Sequence, residues 1–291
     1  MHVEQTFMIE VFCGCAILCA TAKQHGLAGS IAVDKERKKG ARSSVFQLDL
    51  RNSEDRLLLE HWMDSPLLLW MHFAPVCGTA SRAREIRVHW SDPRPLRSNE
   101  FPHGLPSLSG NDKQRVLIAN DLFEYTCKLF KKAVQAGILA TVENPKNSYF
   151  WVTDWFLHLM KTCRLFVADF HVCMLGGARN KWTRIVANFQ EIQQLSIECD
   201  KSHDHESWRF AQDSDGKRVW ATSLESAYPR KMCIALVQSV LQVAHSFGLI
   251  LQPQSMRDIH KSMLKAQAAQ VSSGLQPRRK VPPLVPESMK P

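Results

Sequence analysis

From residue 8 to residue 145 the chain alternates short apolar runs with amphipathic or polar stretches. The runs at 8–12, 30–33, 45–48 and 67–73 have the length of buried strands, while 17–25 and 54–63 carry helical spacing and 35–42 reads as a basic helix start. A long amphipathic helix at 111–136 then leads to a fifth strand at 138–142. Further on, 151–160 reads as a helix, and 164–171 and 184–189 as two strands flanking a basic, glycine-rich loop at 176–183. The region 221–247 is helical and opens with Tyr228-Pro229, since proline is tolerated in a helix's first turn. Strands separated by helices predict an α/β fold, Rossmann-like, with a mostly parallel sheet and helices on both faces.

The pattern weakens in three places. Residues 85–110 are polar, rich in proline and without period, and a loop this long inside a compact domain is functional or mobile. Residues 190–220 form a short, charged insert. After a main domain at 1–254, a helix is expected at 255–271, followed by a basic, proline-rich and disordered tail at 272–291. The chain has no internal repeat.

Composition narrows the class. The 45% hydrophobic content of the 291 residues supports a real core, yet no apolar run reaches the roughly 18 residues of a membrane span. The N-terminus lacks a secretion-signal pattern, so a soluble, intracellular protein without a membrane partner is expected. Nine cysteines, an odd number scattered through apolar segments, fit free thiols better than a disulfide framework. A formal charge of +9 favours a polyanionic partner.

The candidate chemistry lies where strands end. In an open parallel sheet, ligands bind beyond the carboxyl ends of the strands. There the chain places the Cys13-Gly14 turn, Asp34, Asp49, the Pro75-Val76-Cys77 turn and Glu143. A glycine turn lets the backbone approach a ligand, and an acid ending the second strand suits ribose hydroxyls. Cys77 followed by Arg82 and Arg84 fits a thiol whose pKa neighbouring positive charge lowers.

Taken in order, these motifs resemble those of the DNA cytosine-5 methyltransferases, which use S-adenosylmethionine. EVFCGCA at 10–16 resembles the family's Asp-Leu-Phe-Cys-Gly-Ala-Gly-Gly loop, AVDK at 32–35 its second motif and QLDL at 47–50 its third. APVCGTASRAR at 74–84 resembles the nucleophile turn, ENP at 143–145 the Glu-Asn-Val motif, and CMLGGARNKWTR at 173–184 the arginine motif. AYPRKMC at 227–233 occupies the place of the closing motif.

The resemblance implies a class I methyltransferase fold. It implies Cys77 as nucleophile toward carbon 6 of cytosine, Glu143 as the acid at ring nitrogen 3, and Arg184 as donor to the ring carbonyl. It implies that Phe12, Cys13, Gly14, Asp34, Lys35, Asp49, Leu50 and Pro75 hold S-adenosylmethionine. DNA, single-stranded or with its base flipped out, would meet Ser81, Arg82, Arg84, Arg179 and Lys181.

The chain departs from the family pattern at Ala16, where a glycine is usual, and at Val76, where proline precedes the cysteine. Only a short segment stands in place of a target-recognition domain. A non-catalytic interaction module of the same fold and an RNA methyltransferase therefore stay open as alternatives. Cys199, His203 and His205 form a Cys-x3-His-x-His cluster that Cys163 or Cys173 could complete. The spacing matches no common zinc motif, so a polar histidine-bearing loop with no metal is expected.

Overall fold

The computed structural model describes residues 6–86, 92–212 and 215–247. The expected helix at 255–271 and tail at 272–291 lie outside the described residues. Seven strands form one sheet: β1 (Phe7–Val11), β2 (Ile31–Asp34), β3 (Val45–Gln47), β4 (Leu68–Phe73), β5 (Leu139–Pro145), β6 (Phe166–His171) and β7 (Trp182–Ala187). Their order is β3-β2-β1-β4-β5-β7-β6. The pairings from β3 across to β5 are parallel, and β7 runs antiparallel to both β5 and β6. Among the described residues six α-helices accompany them: α1 (Ile17–Gln24), α2 (Ser53–Met63), α3 (Gly110–Gln135), α4 (Asp154–Thr162), α5 (Ala221–Leu224) and α6 (Arg230–Ser246). A separate two-stranded hairpin, β8 (Phe210–Gln212) and β9 (Arg218–Trp220), follows the sheet in sequence. This is a mostly parallel, Rossmann-like arrangement, as the resemblance implies. β1 has β2 on one side and β4 on the other, so the chain reverses its direction of travel there and opens a crevice at the strand ends.

Alternation along the strands separates the two faces of the sheet. Met8, Trp70, Leu139 and Ile185 share one core with Leu18 and Ala22 of α1 and Leu236 and Val240 of α6. In α6 the buried positions Met232, Cys233, Leu236, Val237, Val240, Val243 and Ala244 recur at helical spacing, a stripe wide enough to seat the helix. Each Met, Leu or Val among them contributes about 1.5–3 kcal/mol when fully buried. On the opposite face Phe73 meets Phe130 of α3 at 6.2 Å between ring centroids, and Phe123 meets Phe150 at 5.0 Å.

Several elements differ from the pattern-based expectation. Residues 35–42 form turns, with most side chains exposed, because the segment offers no apolar stripe whose burial could stabilise a helix. The expected helix at 151–160 is a 3-10 turn, Tyr149–Val152, followed by α4, the two separated at buried Thr153. β7 begins at Trp182 rather than 184, and 221–247 divides into α5 and α6 around Tyr228-Pro229. Within the insert, the charged 210–220 stretch closes as the β8–β9 hairpin. No helix among the described residues is long and apolar enough to cross a membrane.

Candidate active site

The turn after β1 is shaped by three left-handed residues, Phe12 (φ 61°), Gly14 (φ 53°) and Ala16 (φ 52°). Left-handed backbone costs a residue with a Cβ about 1–2 kcal/mol, so Phe12 and Ala16 are held there by their surroundings. The Cys13 N–H donates to Val33 O at 3.0 Å and the Gly14 N–H to Asp34 Oδ2 at 2.9 Å, which ties the turn to the end of β2. Ala16 caps α1 without a side-chain acceptor. Glu10 supplies one instead: its Oε2 accepts from the Cys19 N–H in the first turn at 2.9 Å. Burial, reinforced by Asp34, pushes the Glu10 carboxyl up to about 8.

This turn forms one wall of a cavity of about 620 Å³ at the strand ends, within the range of small-molecule sites. All eight residues assigned to the cofactor line it: Phe12, Cys13, Gly14, Asp34, Lys35, Asp49, Leu50 and Pro75. Asp49 is bound through both carboxylate oxygens by Arg51, and that hydrogen bonding holds its pKa below the usual carboxylate range. The same cavity receives Cys77, Glu143, Lys181 and Tyr228.

Cys77 follows β4 in a tight turn. Its carbonyl accepts from the Ala80 and Ser81 N–H groups at 2.9 and 2.8 Å, and Asn144 Nδ2 donates to Pro75 O at 2.9 Å. Asn144, one residue after Glu143, thus fixes the turn that proline at Val76 would otherwise restrict. Burial raises the Cys77 thiol pKa, opposed mainly by Lys181. The expectation that Arg82 and Arg84 lower it is corrected: both serve the loop itself. Arg84 donates to Gly78 O at 2.7 Å and Arg94 O at 3.0 Å, while Arg82 bonds Asn99 and lies over the Tyr149 ring. Ser81 accepts from the Ala83 N–H and caps the 3-10 turn Arg82–Glu85.

The assignment of Arg184 is also corrected, for a reason of strand parity. In the antiparallel β5–β7 pair, Glu143 faces Ile185 and Asn144 faces Arg184, and directly opposed residues share a sheet face. Arg184 therefore projects away from Glu143 and binds Asp169, its partner on β6, at 2.7 and 2.8 Å. Lys181 has the parity of Ile185 and reaches the site, its Nζ 3.5 Å from Glu143 Oε1. Burial acts to lower the Lys181 pKa, but Glu143, Cys77 and Glu225 around it hold it above the usual lysine range. A charged ammonium thus sits beside the carboxylate and the thiol, rather than on a phosphate-facing surface. Arg179 is likewise no phosphate contact: buried, it binds Glu206, Glu225 and Ser207 O at 2.6, 2.8 and 2.8 Å.

Two further side chains were not singled out as functional by their sequence positions. The Tyr228 hydroxyl reaches Glu143 Oε2 at 3.0 Å, and His72 Nε2 lies 3.1 Å from the same hydroxyl. Glu143 Oε1 is buried and faces the Lys181 ammonium as its ion-pair partner. The sequence signal for His72 was its strand parity with Trp70; for Tyr228 there was only its place before Pro229.

No family model and no curated protein matches the chain. Among solved structures, it is similar to the S. pombe Dnmt2 methyltransferase, with 9% identity, a TM-score of 0.37, and coverage of 77% of this chain and 65% of that one. A mutant of Spodoptera frugiperda DNMT2 is similar with 14% identity and a TM-score of 0.35, over 63% of this chain and 50% of that one. The Entamoeba histolytica methyltransferase EhMeth is similar with 10% identity and a TM-score of 0.31, over 71% and 58%. The chain spans between half and two thirds of the length of these three proteins.

Proposed function

We propose that the chain transfers a methyl group from S-adenosylmethionine to carbon 5 of cytosine in DNA. The observation that carries this reading is the convergence of Cys77, Glu143 and Lys181, from the ends of three strands, on the cavity that Asp34 and Asp49 also line. The donor set suits the cofactor: two carboxylates for hydroxyl and amino groups, and the apolar Phe12, Leu50, Pro75 and Leu122 for the adenine and its sugar. Bound there, S-adenosylmethionine supplies an electrophilic methyl group.

The protein's own residues do the rest. Carbon 5 of cytosine is a poor nucleophile until the Cys77 thiol gives its proton to solvent and the sulfur bonds to carbon 6, which turns the ring into an enamine. Negative charge then builds on ring nitrogen 3 and the ring carbonyl. Glu143 in its protonated form donates at nitrogen 3, and the Lys181 ammonium offsets the charge on the carbonyl, the role the motif comparison had given Arg184. After methylation a water molecule removes the proton from carbon 5, the bond from carbon 6 to sulfur breaks, the thiolate leaves, and the nitrogen 3 proton returns to Glu143. Because carbon 6 is covered in a stacked duplex, the base must be unpaired or flipped out.

The test is a methyl-transfer assay with double-stranded DNA, single-stranded DNA and RNA side by side, together with covalent trapping by a 5-fluorocytosine oligonucleotide. Transfer to DNA with trapping supports the reading, and transfer to RNA alone reassigns the substrate. A second reading, an interaction module that keeps the cofactor cavity, is favoured by one observation: burial holds the Cys77 thiol in its protonated form. Cofactor binding with neither transfer nor trapping would select it.

A further inference from the structure

The Cys199, His203 and His205 cluster lies away from the strand-end cavity and is unused by the proposed reaction. Cys173 joins it from the 3-10 turn Val172–Leu175 that follows β6, and one ligand atom from each of the four residues lies within 4.8 Å of the others. Cys163 is not among them. Cys199 Sγ is 3.4 Å from His205 Nε2 and 3.9 Å from His203 Nε2. In a tetrahedral zinc site with Zn–S near 2.3 Å and Zn–N near 2.1 Å, the S···N edge is about 3.6 Å, between those two separations.

Hydrogen bonding alone does not account for the arrangement. A thiol is a weak donor with one proton and a weak acceptor, yet two imidazole nitrogens, a second thiol and the Lys201 N–H all converge on Cys199, more partners than so weak a hydrogen-bonding group ordinarily gathers. Both cysteines are free. The backbone is also arranged for a thiolate at this position. Lys201 adopts left-handed backbone (φ 60°), unusual for a residue with a long side chain, and its N–H points at Cys199 Sγ at 3.4 Å. On the far side of the His203 ring, Nδ1 lies 3.8 Å from Asp200 Oδ1, the placement of an outer carboxylate that orients a ligating histidine.

We propose that Cys173, Cys199, His203 and His205 bind one structural zinc ion. Two thiolates and two neutral imidazoles make a closed, electrically neutral tetrahedral site with no position left for substrate, and mixed sulfur and nitrogen ligands select zinc over hard cations. Binding releases two thiol protons and clasps the loop between β6 and β7, which carries Cys173, to the segment after β7, which carries Cys199, His203 and His205. The same clasp continues through Glu206 N–H to Ala178 O at 2.9 Å, Arg179 to Ser207 O at 2.8 Å, and Trp208 Nε1 to Asn180 Oδ1 at 2.8 Å. That loop ends at Lys181. The inference departs from the expectation of a metal-free loop, and it stands independently of the methyl-transfer reading.

The test uses the full chain purified without added metal. Elemental analysis should find about one zinc per chain, falling below about a tenth in Cys199→Ser and His205→Ala. Cys163→Ser should keep the metal, and His203→Cys, which substitutes one good zinc ligand for another, should keep it as well. Should the ligand variants fail to fold, cobalt(II) replacement in the parent chain decides: a thiolate charge-transfer band with the visible absorption of tetrahedral cobalt supports the site. A folded parent chain that contains no zinc and takes none up from zinc chloride overturns it, as does Cys199→Ser with undiminished zinc.

Discussion

The Tyr228 hydroxyl stands between Glu143 Oε2 at 3.0 Å and His72 Nε2 at 3.1 Å, forming the middle of a buried chain of hydrogen-bonding groups. His72 Nδ1 lies 2.8 Å from Thr141 Oγ1, which also accepts from Trp70 Nε1 at 2.8 Å. Burial pushes the His72 imidazole down to about 3, so the ring is neutral and carries one N–H. With Glu143 ionised, Tyr228 donates to it, His72 Nε2–H donates to Tyr228, and Thr141 donates to Nδ1. With Glu143 protonated, every bond in that sequence reverses. Both states leave the groups of the chain satisfied, which is what an acid that cycles its proton at a substrate nitrogen requires.

Tyr228→Phe removes the hydroxyl from the middle of that chain and leaves Glu143 Oε2 and His72 Nε2 without it. We expect a loss of about 1–3 kcal/mol in stability, the cost of a buried group left unpaired, and a fall of about 10- to 100-fold in kcat. Cofactor affinity should stay within a few-fold, because Tyr228 acts through Glu143. Calorimetric titration with S-adenosylmethionine beside the kcat measurement checks this, and unchanged turnover would remove the relay from the mechanism.

On the proposed reaction, Lys181→Met should reduce methyl transfer about 100-fold or more, since it removes the group placed to offset charge on the ring carbonyl and the ammonium 3.5 Å from Glu143. Arg184→Ala should leave transfer within about 3-fold, because Arg184 partners Asp169 on the other sheet face. Single-turnover rates for both variants decide between the two residues. Equal losses would mean that the motif position, and not strand parity, identifies the functional cation.

That contrast shows how far the sequence reaches. The strand-end carboxylates and Cys77 were legible because a parallel sheet delivers its carboxyl ends to one crevice, whatever the details of packing. Which cation meets Glu143 was not, because the choice between Lys181 and Arg184 depends on the register of β7 against β5, and a one-residue slip exchanges the faces. The β7 start at Trp182 instead of 184 is part of the same difficulty: Trp182 and Thr183 look like loop until His171 and Phe170 pair with them. Tyr228 was illegible for another reason. Its contact with Glu143 spans 85 positions in sequence, and no local pattern encodes it.

Trapping by Cys77 should depend on pH with a definite sign. Because burial raises the thiol pKa, the thiolate is the minor form at neutral pH, and its fraction grows about tenfold per pH unit until the pKa is reached. The rate of adduct formation with a 5-fluorocytosine oligonucleotide, measured from pH 7 upward, should follow that slope. On the proposed reaction the sulfur acts on the base and not on the cofactor, so Cys77→Ser should abolish both trapping and transfer with cofactor affinity nearly unchanged. A trapping rate flat in pH would mean that substrate binding, through Lys181 or otherwise, has already formed the thiolate.

Glu10 supplies the last prediction, on stability. Its carboxyl has an ordinary value of 4.5 and is pushed up to about 8 in the folded chain, chiefly by burial and further by Asp34, against the Cys19 N–H that favours the ionised form. Between those values the folded protein holds a proton that the unfolded chain has released, so raising the pH favours unfolding. The stability associated with the neutral carboxyl is complete below about pH 4.5, declines as pH rises toward 8, and is constant above it, with a ceiling of about 5 kcal/mol. Glu10→Gln keeps an acceptor for the Cys19 N–H and removes the titration. The variant should therefore be the more stable of the two at pH 8, and the two should approach one another near pH 5. Urea unfolding of parent and variant at both pH values checks it; a variant less stable than the parent at pH 8 would show that the ionised carboxylate, and not the neutral acid, is the form that caps α1.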